Sequence, residues 1–230
     1  MKHFSAAYHL ACVTLVASEG SLRGNLNTAK NLKTLMERKL PVIGPDNRVK
    51  ANFVGKPPFT AVGLVATNTG SCTGVMVGPD LMLTAQTCGY NKTSTEPIIF
   101  APAYHEDQVP FTPARSEDFF FDHEVNIAAG ASVTDIDTAF NWVIVKLDRE
   151  IGNEVGFWET LVYDKQWDGT PRWFHIGYTS ELDDGQKIIS AVFTNTTNTV
   201  YSADSLFSNG AESYMMKTDV DTGPGQAGGT

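Results

Sequence analysis

From Asp46 onward the apolar positions fall into short runs of three to eight residues, each broken by Gly, Pro, Asn or Asp. That texture predicts strands joined by turns, not the long amphipathic segments of βαβ units. The runs predict strands over residues 61–66, 75–77, 81–84, 98–101, 124–129, 142–147, 172–178, 187–194 and 213–218. Residues 104–122 are polar and proline-containing, with Glu106, Asp107, Glu117 and Asp118, and read as a surface loop. Residues 152–171 read as a link between two halves, with Val155, Phe157, Trp158, Leu161, Val162 and Tyr163 expected to pack inward.

Two different patterns precede the strands. Lys2 and His3 are followed by a mostly apolar run from Ala6 to Val16, and small residues stand at Val16-Ala17-Ser18. This is the layout of a secretory signal over residues 1–18, and the run is too short to span a bilayer. Over residues 19–45, Leu26, Leu32, Leu35, Met36 and Leu40 recur at helical spacing among Lys30, Lys33, Arg38 and Lys39, until Pro41 ends the helix. A propeptide and an N-terminal helix packed on the main domain are equally good readings; the domain proper runs from 46 to 230.

The stretch Ser71–Tyr90 organises the rest. Val75–Val77 and Leu81–Leu83 flank Gly78-Pro79-Asp80, a hairpin signature. The hairpin returns Cys88 towards Cys72. Loss of the signal removes Cys12 and leaves two cysteines, an even count that suits one disulfide in a secreted chain. Sequons at Asn91 and Asn195 agree with export.

Composition narrows the function. The chain has 230 residues, 42% hydrophobic and 19% charged, enough for one large domain or two packed halves. A net charge of −9 argues against nucleic-acid partners and against a polybasic membrane anchor. No two of His105, His123 and His175 have metal-ligand spacing, and Gly223–Gly228 lacks the basic residue of a phosphate loop. No metal or other cofactor is expected.

Three segments carry a resemblance. They are Cys72-Thr73-Gly74 leading to Thr84-Ala85-Gln86-Thr87-Cys88, then Asn141-Trp142-Val143-Ile144-Val145-Lys146-Leu147-Asp148, and finally Asp219 through Gly223-Pro224-Gly225-Gln226-Ala227-Gly228-Gly229. Together with Asp46–Val49 and Pro57–Gly63 they resemble trypsin-like serine peptidases of the chymotrypsin fold, in the secreted glutamyl-endopeptidase-like branch. The resemblance implies an all-β, two-barrel chymotrypsin-like fold. It also implies the positions of a base, a carboxylate and a nucleophile, which here are Thr87, Asn141 and Ala227. Gly225 and Ala227 would supply the oxyanion-hole N–H groups.

None of these three residues can do the family's chemistry. A threonine hydroxyl is no base near neutral pH, an amide carries no negative charge, and an alanine methyl has no nucleophilic atom. Asp135 and Asp137 lie just upstream of Asn141, but the strand register favours Asn141 for the acid position. His105, His123 and His175 read as surface or satisfied histidines. The sequence ends three residues after Ala227, so the second barrel is expected to be incomplete at its C-terminus, with its strand edges a hazard unless covered. The expected function is therefore a secreted, extracellular, non-catalytic serine-peptidase homologue. It would act by binding a protein or peptide partner: as an inhibitor decoy, as a peptide binder, or as a partner of an active protease. The alternatives are an active serine endopeptidase of the same branch with its catalytic groups elsewhere, or a non-functional truncated fragment of one.

Overall fold

The computed structural model describes residues 48–51, 55–67, 70–88, 96–105, 107–125, 134–168, 170, 175–179, 190–194 and 200–218. The expected signal and leader, residues 1–18 and 19–45, lie outside the described residues, as do Asn91, Asn195, Gly225 and Ala227.

Six strands close into a barrel. In chain order they are β2 (Val62–Ala66), β3 (Ser71–Met76), β4 (Leu81–Thr84), β5 (Ile99–Pro102), β6 (Ala114–Phe120) and β7 (Val143–Leu147); around the barrel they run β2-β3-β4-β7-β6-β5. Closure removes the open edges that a flat sheet of this size would expose. Alternation decides what fills it. Val65, Met76, Met82, Phe100, Val143, Val145 and Leu147 are buried together in one cluster. Val62, Leu64 and Val75 belong to a second cluster with Ala101, Ile176 and Tyr178. Neighbouring residues of β2 and β3 thus enter different clusters, so both faces of these strands are covered. That is why Val62–Ala66 reads as a nearly continuous apolar run.

Gly63 is required by this closure. A Cβ there would stand 2.7 Å from the carbonyl oxygen of Ala101 and 2.7 Å from the Cα of Pro102, both backbone atoms of β5. Only a residue without a Cβ lets β2 and β5 pair at this distance.

The second half supplies β8 (His175–Thr179), which lies between β3 and its own sheet partner β9 (Ser190–Thr194); β9 also pairs with β1 (Arg48–Lys50). The backbone N–H of Tyr178 donates to Thr73 Oγ1 at 2.8 Å in a buried bond that ties β8 to the barrel wall. Trp158 packs on both clusters, and its N–H donates to the Met76 carbonyl at 2.9 Å. A hairpin, β10 (Val200–Ser208) with β11 (Ala211–Thr218), completes the described second half.

The expected strands at 61–66, 81–84, 98–101, 142–147, 172–178, 187–194 and 213–218 all overlap observed ones, with 81–84 matching β4 end to end. The expected strand at 124–129 lies mostly outside the described residues, and Glu124 and Val125 are not in one. The loop expected over 104–122 needs correction, because it contains β6. A register shift between Ser116 and Asp118 breaks the alternation there, so the run ARSEDFF shows no period-two pattern. In the linking segment Val155 and Trp158 pack as expected, whereas Leu161 and Val162 are exposed.

Candidate functional site at the Thr87–Asn141 pair

Strand β4 ends where the buried Thr84 hydroxyl donates to the Thr73 carbonyl at 2.7 Å. The chain then makes one 3-10 turn, Gln86–Cys88. The disulfide Cys72–Cys88, with Cα atoms 5.8 Å apart, fastens that turn to β3. Thr87 is left pointing to the surface on an otherwise buried turn.

Its partner comes from the other side. Helix α1 (Asp135–Ala139) is started by Thr134, whose hydroxyl caps the Asp137 N–H at 3.1 Å. The helix stops at Phe140, and the chain enters β7 through Asn141, which is 4% exposed. The Thr87 N–H donates to Asn141 Oδ1 at 2.9 Å, and Asn141 Nδ2 donates to Thr87 Oγ1 at 3.2 Å. The Gln86 N–H adds a longer bond to the Asn141 carbonyl, at 3.4 Å. The structure thus brings together two of the three residues expected at the catalytic positions.

The pair is chemically closed. The amide uses its acceptor on the Thr87 backbone and a donor on the Thr87 hydroxyl, a combination a carboxylate cannot make. Neither group changes charge between pH 4 and pH 9, so the pair holds no proton to exchange with a substrate.

No protein-family model matches the chain. A glutamyl endopeptidase of Bacillus licheniformis is 28% identical over 119 residues, half of this chain and 35% of that protein. An extracellular metalloprotease of Bacillus subtilis is 22% identical over 231 residues, covering 86% of this chain and 71% of that one. Among solved structures, a Glu endopeptidase in complex with MPD superposes with a TM-score of 0.64 at 23% identity, covering 82% of this chain and 80% of that one. This likeness establishes the fold. The chain has the fold of the trypsin-like serine peptidases and is similar to glutamyl endopeptidases. The match spans about a third of the length of the Bacillus licheniformis relative.

The three later histidines have different fates. His105 sits in a short bridge to Gln108, with backbone bonds of 3.2 and 2.8 Å. His175 is buried in β8, and among the described residues neither ring nitrogen has a partner, which corrects the expectation of a surface or satisfied side chain. Burial disfavours its charged form and lowers its pKa to about 4.

His123 is the one that sequence reasoning undervalued. Its Nδ1 lies 2.9 Å from Ser208 Oγ and its Nε2 lies 3.3 Å from Asp137 Oδ1. Gln86, the neighbour of Thr87, holds the His123 loop through two bonds: its Nε2 donates to the His123 carbonyl at 2.9 Å, and its Oε1 accepts the Val125 N–H. Residues 123, 137 and 208 share no spacing motif, so nothing in the sequence joins them. The one readable signal was Thr134-Asp135-Ile136-Asp137, a capping box that fixes Asp137 at a helix start. Among the described residues, no group of three or more His, Cys, Asp or Glu is placed to hold a metal ion.

Proposed function

We propose that this chain is a secreted, extracellular member of the glutamyl-endopeptidase-like serine peptidases, non-catalytic as a peptidase, which engages a peptide or protein partner without cutting it. The observation that carries the reading is the Thr87–Asn141 pair. Where the resemblance puts a base and its carboxylate, one exposed hydroxyl and one buried amide hydrogen-bond to each other. A triad hydrolase needs an imidazole to take the nucleophile's proton and a carboxylate to hold that imidazole. Ala227, at the resembling nucleophile position, removes the third component.

The barrel around the pair is intact. The closed six-stranded wall, the disulfide and the Gln86 bridge all keep the turn in place. A scaffold of this kind retains shape complementarity for extended peptides when bond-breaking groups are gone, because binding and chemistry draw on different interactions. The experiment is incubation of the full chain with casein and with peptides carrying internal Glu or Asp, read by mass spectrometry, beside a calorimetric titration of the same peptides. The reading requires binding without cleavage; cleavage of the peptides by the full chain would overturn it in favour of an active endopeptidase.

A further inference from the structure

We propose that Ser208 is a nucleophilic hydroxyl, activated by His123 and oriented through Asp137, that accepts acyl groups from activated carboxylic esters. The site is separate from the Thr87–Asn141 pair and goes beyond the binding role.

Asp137 is the fixed end of the cluster. Its Oδ2 is held by the capping box, accepting the Thr134 N–H at 3.1 Å and the Thr134 hydroxyl at 2.6 Å. That fixes the carboxylate and leaves Oδ1 facing His123 Nε2 at 3.3 Å. A carboxylate only accepts, so Nε2 carries a proton, and the tautomer that this bond selects has its lone pair on Nδ1. Ser208 Oγ, 2.9 Å from Nδ1, is then the donor. Gln86 holds the His123 backbone at its carbonyl, and the imidazole ring lies 5.6 Å from that of Phe140. His123 and Asp137 side chains are 25% and 12% exposed, so the relay is shielded but not sealed.

Ser208 is equally fixed. It is the last residue of β10 and pairs with Ala211 across a two-residue turn, Asn209-Gly210, with φ of 52° and 82°. Asn209 Nδ2 donates to the Asp122 carbonyl at 3.2 Å, and the Ser213 hydroxyl donates to the Ala139 carbonyl, so both hairpin strands are pinned beside the His123–Asp137 pair. The Ser208–Ala211 register leaves the Asn209 N–H outside the strand ladder. An N–H immediately after the nucleophile is one of the two oxyanion donors in serine hydrolases built on a sharp turn.

Ser208 Oγ attacks the ester carbonyl carbon while its proton passes to His123 Nδ1. The bond to the leaving oxygen breaks and that oxygen takes the proton, leaving acyl-Ser208. Water then attacks the acyl carbon, giving its proton to Nδ1 and its hydroxyl to the acid, and Ser208 is restored. Esters with good leaving groups suit a site whose base is engaged through one ring nitrogen, since little acid assistance is needed to expel them. Asp137 acts through His123 and is a positioning residue.

The test uses the full chain with a fluorophosphonate probe, with peptide mapping of the adduct, and with p-nitrophenyl acetate. Labelling is expected at Ser208 and absent in Ser208→Ala. His123→Ala should lower the rate by on the order of a hundredfold, with partial restoration by added imidazole. Asp137→Asn, which keeps one oxygen for the Thr134 cap, should slow labelling while circular dichroism shows the chain still folded. Absence of an adduct on Ser208 in folded wild-type protein would overturn the proposal. So would labelling of equal rate in His123→Ala; the contact would then be only a clamp between the hairpin and the barrel. Peptide turnover is read separately, so the failure of the binding role and the failure of Ser208 chemistry are distinct results.

Discussion

Replacing Asn141 by alanine tests whether the Thr87–Asn141 contact is structural. Asn141 is 4% exposed and makes two side-chain bonds, accepting from the Thr87 N–H at 2.9 Å and donating to Thr87 Oγ1 at 3.2 Å. Each bond contributes about 0.5–1.5 kcal/mol net, and a stranded buried partner costs about 1–3 kcal/mol. Thr87 is exposed, so water recovers its hydroxyl, and its N–H is the group left stranded. The expected loss is about 2–3 kcal/mol. Thr87→Ala loses only the hydroxyl bond, about 1 kcal/mol or less, because its backbone N–H still reaches Asn141. The double variant should then show a coupling of about 0.5–1 kcal/mol. Urea denaturation followed by tryptophan fluorescence gives all three numbers. The reasoning fails if Asn141→Ala unfolds at the parent's midpoint, or if Thr87→Ala costs more than Asn141→Ala.

Other regions give equally direct expectations. Gly152, the first residue of the short helix α2 (Gly152–Val155), has no room for a Cβ: it would stand 2.4 Å from the Gly78 carbonyl oxygen and 2.8 Å from that of Pro79. Gly152→Ala should therefore cost about 1–3 kcal/mol as overpacking and lower the melting temperature. His175, whose pKa falls from 6.5 to about 4 on folding, stays neutral in the folded state and charges in the unfolded one. Its stability contribution is full above about pH 6.5 and is lost as the pH falls to about 4, a decline of at most about 3 kcal/mol. His175→Leu should flatten that part of a stability-against-pH curve, and an unchanged slope would refute the assignment. Reduction of Cys72–Cys88, which spans 16 residues, should lower unfolding stability by about 3 kcal/mol on the chain-entropy account, measured as a shift of the urea midpoint with dithiothreitol.

The legible parts of the fold were those where local pattern and tertiary environment agree. β4 and β7 are short apolar runs bounded by turn residues, and Gly78-Pro79-Asp80 marks the hairpin that closes the disulfide. β6 was missed because a bulge disrupts its alternation and most of its side chains face solvent. β10 was not among the expected strands although its partner β11 was: in Val200–Ser208 the polar Ser202, Asp204, Ser205 and Ser208 interrupt the apolar positions. Its strand state comes from pairing with β11, which local composition does not encode. The Thr87–Asn141 pair was legible because two motif words bracket it. The Ser208–His123–Asp137 contact was not, because it is made by three segments that meet only after the hairpin docks on α1.

Our proposal is that Thr87 and Asn141, where the resemblance puts a base and an acid, do no proton chemistry, and that the chain binds without cutting. The most direct measurement is a long incubation of purified chain with a Glu-containing peptide at the concentration that saturates calorimetric binding, followed by intact-mass analysis of the peptide. The account predicts a saturable heat and a peptide of unchanged mass. Steady accumulation of cleaved peptide with the parent chain would refute that reading.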